Sequence, residues 1–166
     1  GLPVTASYIV LAVLAAPALT SLGISILSAH LLIFWYSQDA NVTPPVCLAA
    51  YSAAGIAGSD PLRTGLESWK IAKGLYIIPL LFCYTPILFE GDPIWAVETA
   101  VSGTAGLLAS AITFEGFHMR DLSAPYRACF AIVALLLLWP APWLHLAGWI
   151  VFGALTAGQR ISQPAD

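Results

Sequence analysis

The chain has 166 residues, of which 59% are hydrophobic and 9% charged, and its formal net charge is −3. A soluble domain of this length cannot bury so much apolar surface in one core, so the composition places the chain in lipid. Its six basic residues, Arg63, Lys70, Lys73, Arg120, Arg127 and Arg160, are too dispersed to neutralise a phosphate backbone, and nucleic acid is excluded as a partner.

Apolar runs fall at 5–20, 25–57, 73–89, 94–114, 126–139 and 143–158. The opening Gly1-Leu2-Pro3-Val4-Thr5 has neither Met nor a basic n-region, so it reads as the interior of a longer protein rather than a signal peptide. The run 5–20 falls short of the ~20 residues that cross a hydrocarbon core about 30 Å thick, and is predicted to be one arm of a re-entrant hairpin.

The second run, 25–57, is interrupted by the polar stretch Ser37-Gln38-Asp39-Ala40-Asn41-Val42-Thr43-Pro44-Pro45. Pro44 and Pro45 have no N–H, so the carbonyls of Ala40 and Asn41 lose their helical partners. In lipid such carbonyls are tolerated only where they line a cavity, a water path or an ion site. A broken transmembrane helix around Asn41-Val42-Thr43-Pro44-Pro45-Val46 is therefore expected. It is either a structural kink or a binding site to which Asp39, Asn41 and Thr43 bring side-chain oxygens, and the second reading is preferred. Asp39 fits an ion path, a proton site, a buried pair or an aqueous vestibule, while His30 reads as a hydrogen-bonded packing residue. Past the break, Ala49, Ala53, Ala57 and Ala50, Ala54, Gly58 form small-residue faces for close helix packing.

Ser59-Asp60-Pro61 is a helix start, with Asp60 as cap and Pro61 at the first position. It opens an amphipathic interfacial helix over 58–72, with Leu62, Leu66 and Trp69 on one face and Arg63, Glu67 and Lys70 on another. The runs 73–89 and 94–114 are expected to span the membrane. The Ser102, Gly106, Ser110 stripe of the latter should pack on protein. Glu115, His118 and Asp121 have the spacing of a metal face, but their place at a loop edge reads as solvated interface charge. The runs 126–139 and 143–158 form a helical hairpin turning at Trp139-Pro140-Ala141-Pro142, with His145 isolated. Cys47, Cys83 and Cys129 read as free buried thiols. With 58–72 cytoplasmic, every basic residue lies inside or at the inner border, Glu90-Gly91-Asp92-Pro93 lies outside, and the C-terminus is cytoplasmic. No nucleophile elbow, phosphate loop or dinucleotide fingerprint argues for an enzyme. The fold class is thus an all-α polytopic membrane protein.

Several linked blocks carry a resemblance: Gly1 to Val10, Ala29-His30-Leu31-Leu32-Ile33-Phe34, Thr43-Pro44-Pro45-Val46, and Ala49 to Gly65. Over about residues 1–91 the chain resembles the large membrane subunit of tripartite ATP-independent periplasmic (TRAP) transporter permeases, especially the fused forms that serve TAXI-type binding proteins. The tail 92–166 resembles the extra helices of fused members. The resemblance implies an elevator-type secondary transporter, in which 1–57 is the second half of the transport domain, Gly1 to Thr5 a hairpin tip, 5–20 its arm and 25–57 the second broken helix. The backbone at Gly1 and Pro3, the Thr5 hydroxyl and the Thr43-Pro44-Pro45 break would then hold Na⁺, with Thr5 and Thr43 as its side-chain ligands, and face the substrate. Asp39 and Asn41 complete the candidate site. Na⁺ or H⁺ is the implied coupling ion, with no cofactor, and organic anions, commonly carboxylates, are the implied substrates. The implied partners are a periplasmic TAXI-type binding protein and the rest of the permease, in the inner membrane of a bacterium or archaeon. A non-transporting subunit packing on a larger permease is the competing expectation.

Overall fold

A computed structural model describes residues 3–161, and among them every regular element is helical. Gly1, named above as a candidate backbone ligand, lies outside the described residues. The chain divides into two compact units, Gly1–Tyr84 and Thr85–Asp166.

In the first unit the run 5–20 forms two helices, α1 (Val4–Leu14) and α2 (Ala16–Ser21), in place of one continuous helix. Pro17 explains the break, because it lacks the N–H that would bond Val13 and its ring crowds that carbonyl. Gly23, at φ +91°, turns the chain. Ser25 then caps α3 (Ile26–Gln38) by accepting from the Ser28 N–H at 3.0 Å. The chain returns along α1, so that Tyr8 meets both His30, at 3.1 Å to Nδ1, and the edge of Phe34. His30 is thereby the hydrogen-bonded packing residue expected.

Helix α4 (Leu48–Ala57) ends at Gly58, whose φ of +66° permits the reversal into α5 (Pro61–Ile71). Asp60 caps α5 by accepting from the Arg63 N–H at 2.7 Å. Of the two small-residue faces on α4, Ala50 and Ala54 are buried, whereas Ala49, Ala53 and Ala57 are exposed. Gly65 of α5 lies so close to α4 that an added Cβ would sit 2.9 Å from the Cys47 sulfur. Leu62, Leu66 and Trp69 remain exposed along α5, the side expected to meet lipid.

Helix α6 (Gly74–Tyr84) runs antiparallel to α3. Ser28 donates to the Phe82 carbonyl at 2.6 Å, and Tyr36 donates to the Tyr76 carbonyl at 3.0 Å. Here the expected span 73–89 is cut short. Thr85 is extended ahead of Pro86, the α-helix stops at Tyr84, and Pro86–Leu88 form a 3₁₀ turn. Eleven residues reach only about 16 Å. Among the described helices, α7 (Pro93–Glu115) alone is long and apolar enough to cross a membrane by length and composition.

The second unit is a three-helix bundle of α7, α8 (Ala124–Leu138) and α9 (Pro142–Ile161). Asp92 caps α7 through the Ile94 N–H at 3.0 Å. At its other end Arg127 donates to the carbonyls of Thr113 and Phe114 at 3.0 and 3.1 Å, satisfying acceptors that the helix cannot. The hairpin α8–α9 turns at Trp139 to Ala141, where the expected one does, with α8 starting two residues earlier and α9 running three residues further than expected. Phe130, Val133, Ala134 and Leu137 of α8 fill the core against Ala105, Ala109 and Ile112. The expected stripe on α7 does face protein, with Ser102 and Gly106 buried. At Gly106 and at Gly148 of α9 an added Cβ would fall 2.7 Å from Leu138 and Leu137 side-chain carbons, so α8 rests directly on both backbones. Cys47, Cys83 and Cys129 are free, as expected, though of the three only Cys47 is buried.

Candidate functional site at the helix interruption

Between α3 and α4 the backbone leaves the α-helix for nine residues. Asp39–Asn41 form one 3₁₀ turn, and the Val42 and Thr43 N–H groups both return to the Asp39 carbonyl, at 3.0 and 2.9 Å. Pro44 and Pro45, joined by a cis peptide, offer no N–H to the Ala40 and Asn41 carbonyls, which accept no backbone hydrogen bond among the described residues. Cys47 re-enters helix from the left-handed region, at φ +45°, with its thiol donating to the Val42 carbonyl at 3.2 Å.

This geometry brings Asp39 and Thr43 together one turn apart, and the Thr43 hydroxyl donates to Asp39 Oδ1. Tyr76, from α6, donates to the same oxygen at 2.6 Å and lies 2.9 Å from the Thr43 hydroxyl. Trp69, from the last turns of α5, donates its indole N–H to the Tyr76 oxygen at 3.0 Å. Asp39 is half-buried, and its Oδ2 accepts nothing among the described residues. The result is a directed chain from indole to phenol to carboxylate, ending at Oδ1. Charge-assisted bonds of this kind hold a carboxylate more firmly than neutral ones do.

The other expected residues are less closely joined. Asn41 donates its amide to Gln38 at 3.4 Å, Pro44 is half-buried, and Pro45 is exposed. Pro3 precedes α1 and Thr5 lies exposed in its first turn. Helix α1 touches the Asp39–Asn41 turn, but Thr5 makes no side-chain bond to Asp39, Asn41 or Thr43 among the described residues. Tyr76 and Trp69 were missing from the sequence-based site. Tyr76 sits near the start of an apolar run and Trp69 in the amphipathic helix before it, where aromatic residues are common anchors, and only the return of α6 along α3 gives them a partner.

Two outlying expectations change. His118 is not fully solvated, because its ring packs 5.6 Å from that of Phe130 and its Nε2 is buried. Among the described residues no group of three His, Cys, Asp or Glu is placed to hold a metal, so Glu115, His118 and Asp121 do not act together as one. Nor is His145 isolated, since it is buried against Glu98 at 2.7 Å.

Both units bury some polar side chains and expose large aliphatic ones. Ser28, Ser37, Thr99, Ser102, His145 and Gln159 are buried, while Val13, Ile56, Ile94, Leu135 and Ile150 point outward. Large aliphatic side chains facing outward are what helices meeting lipid or further helices present, while Phe130, Val133 and Leu137 fill the core of the second unit. The family model "Tripartite ATP-independent periplasmic transporter, DctM component" matches residues 1–89, more than half the chain, and the chain belongs to that family. It is a family of transporters, not enzymes, whose members work with a periplasmic binding protein and a small membrane subunit. No curated protein and no solved structure matches the chain. The matched residues contain the whole Asp39–Thr43–Tyr76 cluster.

Proposed function

We propose that this chain carries the second half of the transport domain of a TAXI-type permease, fused to C-terminal helices, and takes up organic anions with an inward ion gradient. The observation that carries this reading is the cluster of Asp39, Thr43 and Tyr76 at a helix interruption inside the family-matched region. A carboxylate, a hydroxyl and two carbonyls without helical partners are a set of hard oxygen donors. Such a set suits Na⁺, and a lone carboxylate at this depth suits H⁺ equally. Asp39 Oδ2, the Thr43 oxygen and the Ala40 and Asn41 carbonyls are the atoms that would hold the ion. The Gly1 backbone, Pro3, Thr5, Pro44 and Pro45 would border the substrate, with Thr5 a second hydroxyl ligand.

The charge asymmetry supports an inner-membrane topology with 58–72 and the C-terminus in the cytoplasm and the Glu90–Pro93 turn outside. The open face of α5 supports an interfacial position for that helix. In the complete permease, reconstituted with its binding protein, Thr43→Ala should abolish ion-dependent uptake while the protein still inserts. Uptake with unchanged ion dependence would overturn the assignment.

A further inference from the structure

In the second unit His145 is only 2% exposed, and both of its ring nitrogens face acceptors. Nε2 lies 2.6 Å from the Trp139 carbonyl oxygen, and Nδ1 lies 2.7 and 2.9 Å from the two carboxylate oxygens of Glu98. A carbonyl can only accept, so Nε2 carries a hydrogen. Nδ1 and the carboxylate must then share another. Oε1 of Glu98 is already supplied: the Trp149 indole, a donor only, donates to the Ser102 oxygen at 3.1 Å, and Ser102 passes its own hydrogen to Oε1 at 2.8 Å.

The shared hydrogen therefore sits either on Nδ1, as imidazolium against carboxylate, or on Oε2, as a neutral pair. Both arrangements hold one proton and no net charge. We propose that Glu98 and His145 form a one-proton binding site that latches α7 to the α8–α9 hairpin. When the site empties, the proton passes to water at the Glu98 carboxylate, which is 36% exposed. A carboxylate is then left facing the Nδ1 lone pair, with one uncompensated negative charge beside a buried ring. The latch is closed at lower pH and opens as pH rises.

Among the described residues of the second unit, no other charge is placed to replace that proton. On the α7 side the nearest ionisable groups are Glu90 and Asp92, both acidic, with Asp92 already capping the helix. On α8, Tyr126, Arg127 and Cys129 lie in the first turns, at the far end from Trp139, and Arg127 is engaged with the end of α7. On α9 the next charge is Arg160, about 22 Å along the axis.

The test is amide hydrogen exchange over 142–150 in the full-length protein, corrected for the intrinsic pH dependence of exchange, between about pH 5 and about pH 8. Wild-type protection should fall with rising pH, by up to about tenfold per pH unit for one linked proton. Glu98→Gln should give a flat profile, because its amide can donate to a neutral Nδ1 while its oxygen still accepts from Ser102. Should that variant not fold, His145→Gln serves the same comparison. A flat wild-type profile, or a variant that keeps the wild-type slope, would contradict the site.

Discussion

Asp39 carries the account at the scale of single residues, and what surrounds it is more informative than its charge. Two hydroxyls converge on one carboxylate oxygen, and the other accepts from no side chain among the described residues. Tyr76→Phe should therefore act on ion binding more than on folding. A hydrogen bond to a charged group contributes roughly 1.5–3 kcal/mol, so the ion concentration for half-maximal uptake should rise about tenfold or more, read by uptake titrations in proteoliposomes. An unchanged half-saturation would remove Tyr76 from the site. Asp39 and Thr43 were legible in the sequence because polar oxygens in a lipid-compatible run demand an explanation. Tyr76 was not, since its partner lies 37 positions away and is chosen by the antiparallel seating of α6 on α3.

At the scale of elements, prolines and glycines decide where helices stop and how closely they approach. Pro17 divides α1 from α2, and Pro86 ends α6 early, yet from sequence both looked compatible with longer runs. Hydropathy reports that a stretch is apolar, whereas its continuity as helix depends on single missing N–H groups. Gly65 shows the converse, a helix–helix contact that no pattern within α5 indicates. Gly65→Ala should overpack the α4–α5 contact at Cys47 and Tyr51 and destabilise the protein by about 1–3 kcal/mol, seen as a lower thermal midpoint in detergent. In a chain already carrying Cys47→Ala the same substitution should cost clearly less, since the sulfur it meets is gone. Equal losses in both backgrounds would mean that the contact does not set the spacing. The α8–α9 hairpin was read closely because Trp139-Pro140-Ala141-Pro142 punctuates it. The seating of α8 on Gly106 and Gly148 depends on three-dimensional register instead.

For the whole molecule, composition reaches furthest. Large aliphatic side chains on the exterior follow from a composition with few charges, and family membership over residues 1–89 agrees with a membrane protein. The orientation is open to a direct check. In a background with Cys47, Cys83 and Cys129 replaced, a cysteine at Glu90 should react from outside intact cells with a membrane-impermeant thiol reagent, and one at Asp121 should react only after permeabilisation. The reverse pattern would invert the topology and place the α5 face on the wrong side. The pairing of Glu98 with His145 escaped the sequence because the two residues are 47 positions apart in separate apolar runs.

Coupling is the central claim, and it is measured most directly by uptake through the complete permease with its binding protein, under Na⁺ and H⁺ gradients imposed separately. One of the two gradients should drive accumulation of an organic anion, and Thr43→Ala should abolish that dependence. Accumulation indifferent to both gradients, or equally driven in the variant, would contradict an ion site at the Asp39–Thr43 interruption.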